Sequence, residues 1–131
     1  MGFVQRLQHA SVPMPADGHA AARRFYGDAL GMPEIDPPAS LRGIDVIWFQ
    51  AGESGHEIHC FADAEQGPNS PAQHLCLQVD DLTALRTRLS HYRVLVEDPI
   101  AIPNRPRCFV RDPFGNGVEL TEITGDYHDV P

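Results

Sequence analysis

The chain has 131 residues, of which 42% are hydrophobic and 21% charged, a composition typical of one globular domain with its own core. Its formal net charge of -8, from 10 basic and 18 acidic residues, argues against nucleic acid or an anionic membrane as the natural partner. No apolar run is long enough to span a membrane, and "MGFVQRLQHASV" lacks the pattern of a signal peptide, so we expect a cytoplasmic protein.

The first half of the chain, module 1 at about residues 4–62, predicts a strand, a helix and a small antiparallel meander. The strand is "RLQHASV", and the helix covers residues 18–30, where apolar side chains recur three and four positions apart. Asp17 is the expected N-cap and Gly31 the expected C-cap. After the turn-rich "MPEIDPPASLRG" come the strands "DVIWFQA" and "HEIHCF", joined by the hairpin loop "GESG".

The second half, module 2 at about residues 72–124, predicts the same plan after the loop "ADAEQGPNSPAQ". "HLCLQV" is a strand, and "DDLTALRTRLSHY" is a helix with an aspartate cap and leucines on one face. Three strands follow, "RVLVED", "PRCFVRD" and "GVELTEI", with "PFGN" as the turn between the last two. We therefore expect a single α+β domain over residues 1–131, made of two similar modules.

The two modules also match in sequence. His9 precedes the first helix and His74 precedes the second, 65 residues later. In the last strand of each module, "GHEIHC" aligns with "GVELTE", so that Glu57 matches Glu119 at an offset of 62. An internal repeat of this kind predicts that matched residues occupy equivalent places in the fold.

Strand parity places the matched residues on one kind of sheet face, because alternate side chains of a strand point to opposite sides. The apolar residues of each strand form the face that should pack on the helices. The polar face, which points away from the helices, carries His9, Ser11, Glu57, His59, His74, Cys76 and Glu119.

Two imidazoles and two carboxylates that face a common cavity would suit a divalent metal such as Ni, Co, Zn, Mn or Fe(II), with a coordination position left for substrate. Each residue alone is more often solvated or structural, but the coincidence of four matched positions favours metal binding. The predicted ligands are His9, Glu57, His74 and Glu119, with His59 as the alternate to Glu57 or as a proton shuttle. The predicted walls of the substrate cavity are Ser11, Trp48, His59 and Cys76.

The three cysteines, Cys60, Cys76 and Cys108, are odd in number and widely spaced. None forms a CxxC pair, so the sequence predicts neither a disulfide framework nor a zinc knuckle. We expect them to fill the core or line the cavity.

Four segments, "LQHASVPM", "ARRFYGDALGMPE", "QHLCLQVDDLTALRTRL" and "CFVRDPFGNGVELTE", resemble the vicinal oxygen chelate superfamily. This superfamily is also called the glyoxalase, bleomycin-resistance protein and extradiol dioxygenase family, and the resemblance covers residues 7–122. It implies two βαβββ modules that form a half-open eight-stranded barrel around a cavity with a metal, commonly in a homodimer. The family's ligands lie on the first and fourth strands of each module, at positions that correspond to His9, Glu57, His74 and Glu119.

The resemblance also implies chemistry in which two vicinal oxygens of the substrate chelate the metal, which acts as a Lewis acid. We expect a metal-dependent lyase or isomerase acting on a small vicinal-oxygen metabolite. Glu57 and Glu119 are the expected catalytic residues, because in bacterial glyoxalase I a ligand glutamate also serves as the general base.

Departures from the family patterns leave alternatives open. After Glu57 the chain reads "IHCFADAEQG" instead of an "ELTxNxG"-like continuation, which argues against a glutathione hemithioacetal substrate. "ITGDYHDVP" lacks the arginine expected of fosfomycin-resistance enzymes. The alternatives are a metal-free dimeric binding protein of the bleomycin-resistance type and an extradiol-type dioxygenase. Whether the barrel closes within one chain or by exchange between two also stays open.

Overall fold

The computed structural model describes residues 2–65 and 69–128. Within these ranges there are seven strands and two α-helices, so the predicted α+β class is confirmed. The chain divides into two compact units, Met1–Gln66 and Gly67–Pro131. No helix of the described part is long and apolar enough to cross a membrane.

Unit 1 is a four-stranded sheet covered by a helix. Its strands are β1 (His9–Met14), β2 (Glu34–Ile35), β3 (Val46–Ala51) and β4 (His56–Ala62), in the sheet order β1-β4-β3-β2. Strand β1 runs parallel to β4, and the other neighbours are antiparallel. Helix α1 (His19–Ala22) continues into a π-helical segment, Arg23–Ala29, and a 3₁₀ turn lies at Ala39–Leu41.

The ends of the first helix match the sequence only in part. Asp17 was expected to be the N-cap, but Gly18 holds that position and no side chain caps the helix. The expected C-cap glycine, Gly31, follows the last helical turn with a φ of 74°, a left-handed conformation that glycine adopts without strain. Strand β2 lies inside the segment predicted as turn-rich. The sequence did not predict this strand, because two residues are too few to show strand alternation.

The core of unit 1 lies between one face of the sheet and the helix. Tyr26 of the helix contacts Phe49 of β3, with ring centroids 5.8 Å apart. Ile58 and Cys60 of β4 are also buried on this face. The alternate residues, Glu57 and His59, therefore point to the opposite face, as strand parity predicted.

Unit 2 has a three-stranded sheet and a longer helix. Its elements are β5 (His74–Gln78), α2 (Leu82–His91), β6 (Arg107–Arg111) and β7 (Gly117–Thr121), and the sheet order is β5-β7-β6. Strand β5 runs parallel to β7, and β6 is antiparallel to it. Helix α2 is capped as predicted, because the side chain of Asp81 accepts a hydrogen bond from the Ala84 amide at 2.9 Å.

The strand predicted at "RVLVED" is reduced to a single bridge between Glu97 and Phe109. This explains why the described residues contain seven strands rather than the eight expected for the barrel. Arg93 has a left-handed φ of 59° at the start of this segment. The following residues include Pro99, Pro103 and Pro106, which lack the amide hydrogens that a longer ladder requires.

Candidate functional site

The polar face of unit 1 brings His9 and Glu57 together. They are direct partners across the parallel strands β1 and β4, so their side chains point the same way. The Nδ1 atom of His9 lies 2.7 Å from the amide oxygen of Gln8, which can only accept a hydrogen bond. The proton of a neutral His9 is therefore on Nδ1, and Nε2 keeps the lone pair that a metal ligand needs.

His59 is held in a stack of three rings on the same face. Its ring centroid lies 4.1 Å from that of His9 and 3.8 Å from that of Trp48, with interplanar angles of 18° and 3°. Only 10% of the His59 side chain is exposed. Trp48, like Ser11, pairs with His59 across the sheet, so the predicted cavity residues of this unit share the face with His9 and Glu57.

Glu57 and His59 form a hydrogen-bonded pair, with 2.8 Å between Glu57 Oε1 and His59 Nε2. This hydrogen bond is the main reason that the pKa of Glu57 lies below its ordinary value. Burial opposes the shift, while Gln8 and His9 reinforce it. Glu57 is therefore ionised near neutral pH, the state required of a metal ligand or a general base.

Unit 2 brings His74 next to Glu119, although in a different strand register. The direct partner of Glu119 across β5 and β7 is Cys76, and His74 lies opposite Gly117. His74 Nε2 nevertheless lies 3.2 Å from Glu119 Oε1. His74 Nδ1 donates to the carbonyl of Ala72 at 2.8 Å, the kind of contact that orients a metal-binding imidazole with Nε2 towards the ion.

Both oxygens of Glu119 already have partners. Arg107 Nη1 donates to Oε1 at 3.1 Å, and the Thr121 hydroxyl donates to Oε2 at 2.7 Å. Burial raises the pKa of Glu119, but the Thr121 hydrogen bond and the electrostatic interactions with Arg107 and His74 outweigh it, so the pKa is lowered overall. Glu119 is therefore held as a carboxylate beside a cation.

Arg107 is the residue of this site that the sequence analysis missed. It also donates through Nη2 to the carbonyl of Ile100 at 2.5 Å, while its Nε is buried and has no partner in the described structure. The register of the β6–β7 hairpin could have revealed it. Arg111 pairs with Gly117, so counting along both strands pairs Arg107 with Thr121, on the face of Glu119.

Cys76 is the cavity residue predicted in unit 2, and its side chain is exposed. Its thiol lies 3.5 Å from the Thr121 hydroxyl, and partial desolvation of the sulfur by its neighbours is the main cause that raises its pKa. Cys76 and Glu119 both line a cavity of about 330 Å³ within unit 2.

The donor atoms of the two pairs suit a divalent metal. Each unit places an imidazole, whose Nδ1 contacts an oxygen, on the same sheet face as an ionised carboxylate. At Glu119, the guanidinium of Arg107 provides a positive charge next to the carboxylate, as a bound metal ion would. Within residues 2–65 and 69–128, no three side chains of His, Cys, Asp or Glu form a ready metal-binding group.

Residues 6–120 match the Glyoxalase/Bleomycin resistance protein/Dioxygenase superfamily. The chain belongs to this superfamily. A glyoxalase family protein from Bacillus anthracis has a similar structure, with a TM-score of 0.84 and 31% identity over 94% of this chain and 98% of that one. The glyoxalase-like fold predicted from the sequence is therefore confirmed.

Two further proteins that are similar to this chain are informative. The ethylmalonyl-CoA/methylmalonyl-CoA epimerase of Cereibacter sphaeroides is 27% identical over 137 residues, which cover 92% of this chain and all of the epimerase. An antibiotic binding protein from a Streptomyces species is 22% identical, with a TM-score of 0.71 over 94% of this chain and 99% of that one. The second likeness shows the fold alone.

Proposed function

We propose that this chain is a metal-dependent enzyme of the glyoxalase superfamily, a lyase or isomerase that moves a proton at a carbon next to a carbonyl. The observation that carries the proposal is the His74–Glu119 pair, in which the Ala72 carbonyl orients the imidazole and Nε2 lies 3.2 Å from an ionised carboxylate. In unit 1, His9 is the strand partner of Glu57 and has its Nδ1 at the Gln8 oxygen, while the Glu57 carboxylate is hydrogen-bonded to His59. Membership of the superfamily supports it independently.

In this proposal the metal ligands are the four predicted from the sequence, His9 and Glu57 in unit 1 and His74 and Glu119 in unit 2. A divalent ion, drawn from Ni, Co, Zn, Mn and Fe(II), would polarise a substrate carbonyl and so acidify the neighbouring C–H. His59 supports Glu57 rather than replacing it, because its Nε2 is hydrogen-bonded to the carboxylate and its ring is fixed between two others. The proposal treats residues 1–131 as one domain of a cytoplasmic homodimer.

The two carboxylates are the proposed acid–base groups. Inverting a carbon requires that one group remove the proton and another return a proton on the opposite side, whereas a shift between adjacent carbons requires only one. Glu57 and Glu119 are both held ionised by their neighbours, so each can accept a proton and, once protonated, return one to carbon. The similarity to the Cereibacter sphaeroides epimerase makes a 2-alkylmalonyl thioester the first substrate to test.

A metal-free binding protein is the second candidate, and Arg107 is the observation that favours it. The Arg107–Glu119 ion pair, with both side chains less than one-sixth exposed, satisfies the carboxylate without a metal. A small-molecule ligand would then bind against the same polar face.

Metal analysis of protein purified without a histidine tag distinguishes the two candidates. The enzyme proposal expects about one divalent ion per chain, lost in His74→Ala and retained in His91→Ala, a matched histidine at the end of α2. Solvent deuterium should also enter C2 of methylmalonyl-CoA with the parent protein but not with His74→Ala.

A folded parent protein with no divalent ion and no deuterium exchange would overturn the enzyme proposal. Thermal stabilisation by ligands that is insensitive to chelators would then support the binding protein.

A further inference from the structure

We propose that the cavity beside Glu119 in unit 2 is an apolar subsite that holds an aliphatic or aryl substituent of the substrate. The proposal rests on the proposed function for one point, that the oxygens of the substrate lie at Glu119. It adds the class of substrate, a small oxygenated head with a compact apolar group attached.

The cavity combines a polar floor with an apolar wall. Its volume of about 330 Å³ is near the lower end of the range for small-molecule sites, roughly 300–1,000 Å³. Strands β5 and β7 provide the floor, through Cys76, Glu119 and Thr121. The segments that flank the sheet provide an apolar wall through Ile102, Ile123 and Tyr127, and Gln78 and Arg105 complete the lining.

The wall residues are large apolar side chains that remain accessible. Ile102 is 36% exposed, Ile123 51% and Tyr127 48%. A single exposed apolar side chain is ordinary on a protein surface, but three around one concave site mark a place where an apolar group binds. Because the cavity is continuous with Glu119, the group that fills it belongs to the molecule whose oxygens reach that carboxylate.

Hydrogen bonds hold the wall in place without a ligand. The guanidinium of Arg105 lies over the Tyr127 ring, 4.8 Å from its centroid, and donates to the carbonyls of Asn104 and Gly125. The Asn104 amide donates to the carbonyl of Asp126 at 2.8 Å. The segment that carries Tyr127 is thus tied to the turn at Asn104, so the subsite is formed in advance and little ordering is needed on binding.

The polar end of the cavity determines which way a ligand lies. At one end, the hydroxyl of Thr121 and the guanidinium of Arg107 both donate to Glu119, so this end carries polar groups and charge. Gln78 and Arg105 also line the cavity, so its apolar surface is the part formed by Ile102, Ile123 and Tyr127. Hydroxyl groups of a wholly polar ligand would lose their hydrogen bonds to water where they face Ile102 and Ile123. An oxygenated head with a branched aliphatic or aryl group satisfies both ends.

Two hydroxamic acids test the subsite directly. Acetohydroxamic and benzohydroxamic acid carry the same pair of vicinal oxygens and differ only in a methyl or phenyl group. With zinc-loaded protein, we expect the phenyl compound to bind at least about 10-fold more tightly. It should also shift the methyl NMR signals of Ile102 and Ile123, whereas acetohydroxamic acid should not.

Variants separate the subsite from a general apolar effect. Ile123→Ser and Tyr127→Ala should each reduce the phenyl preference to about 2-fold or less, since each removes part of the wall. Leu95→Ser is the matched control, because Leu95 is 87% exposed and does not line the cavity. It should leave the preference unchanged.

A repeat of the titrations with chelator distinguishes failure of the subsite from failure of the metal proposal. If benzohydroxamic acid still shifts the two isoleucine methyls in metal-free protein, the subsite stands even if no metal binds. Equal affinity for the two acids would overturn the subsite, as would a phenyl preference that survives Ile123→Ser. Unmoved isoleucine methyls at millimolar benzohydroxamic acid, with and without zinc, would also overturn it.

Discussion

The two candidate bases are kept ionised by different neighbours. At Glu57 the main contribution is a hydrogen bond from His59, whose ring is fixed between His9 and Trp48. At Glu119, a hydroxyl and an arginine overcome a larger cost of burial. Glu119 is thus bound to a permanent cation, whereas Glu57 is bound to a group that can itself gain or lose a proton.

Gly117 is the residue on which the position of His74 most depends. A β-carbon at Gly117 would lie 2.8 Å from the carbonyl oxygen of Gln73 and 3.0 Å from the β-carbon of His74. Neither atom can move without its backbone. We therefore expect Gly117→Ala to force β5 away from β7, to lower the free energy of unfolding by about 1–3 kcal/mol and to weaken metal binding.

Gly27→Ala is the control for this prediction, since a β-carbon there would lie 3.5 Å from the Phe49 ring, an ordinary contact. Urea unfolding and the imidazole NMR signals of His74 provide the measurements. Unchanged His74 signals and an unchanged midpoint in Gly117→Ala would show that the strands accommodate a methyl group.

The sequence predicted which face of the sheet a side chain occupies more securely than it predicted which residues that side chain contacts. Alternation alone placed Glu57 and His59 opposite Ile58 and Cys60, because the period of a strand is two. It could not show that His59 would lie between two rings, since ring stacking depends on how neighbouring strands align. The contact of Arg107 with Glu119 also depends on strand alignment, although the β6–β7 turn would have given its strand partner, Thr121.

At the scale of elements, the β6–β7 turn holds Glu119 in register with its neighbours. Asp112 accepts hydrogen bonds from the amides of Phe114 and Asn116 at 2.9 and 2.8 Å. It also accepts one from the Asn116 side chain at 2.7 Å, and Asn69 donates to the oxygen of that same side chain at 3.1 Å. The "DPFGN" segment is thus a buried polar network that fixes where β7 begins.

We predict that Asp112→Ala lowers the free energy of unfolding by about 2–4 kcal/mol, because it leaves buried amide groups without an acceptor. Urea unfolding followed by circular dichroism measures the loss. Asp36→Ala, an exposed aspartate in unit 1, should change stability by less than about 0.5 kcal/mol. A loss no larger than this in Asp112→Ala would show that the turn does not depend on the network.

Elements with a regular period were predictable, and irregular ones were not. The strands around Ile58 and Leu120 and the α2 helix follow their sequence patterns. The π-helical segment Arg23–Ala29 shows the same apolar spacing as an α-helix, so its wider turns leave no distinct signal. The segment "RVLVED" has strand composition, but it forms only the bridge between Glu97 and Phe109, and its sequence pattern does not show this.

At the scale of the whole molecule, the repeat predicted equivalent elements but not equivalent registers. In each of the parallel pairs β1–β4 and β5–β7, a helix lies between the two strands along the chain, as the internal match implied. His9 lies directly opposite Glu57, however, whereas the residue opposite Glu119 is Cys76, two positions after His74. Side-chain length compensates, because an imidazole can reach a carboxylate diagonally across two strands.

The lowered pKa values of Glu57 and Glu119 predict how stability depends on pH. In the unfolded chain both carboxyls have ordinary pKa values, so near those values the unfolded state binds more protons than the folded one. The two groups therefore stabilise the fold above the ordinary carboxyl pKa, and this contribution is lost as the pH falls through the lower folded values. Stability should thus decrease on acidification.

The double variant Glu57→Gln/Glu119→Gln should have a flatter dependence of unfolding free energy on pH, because neither glutamine titrates. It should also be less stable at neutral pH, since Arg107 loses its buried partner. Urea titrations from neutral to acid pH measure both effects, with circular dichroism for the chain and the fluorescence of Trp48, its single tryptophan, for unit 1. Glu53→Gln, at an exposed glutamate, is the control. A double variant as steeply pH-dependent as the parent would show that other carboxyls govern acid unfolding.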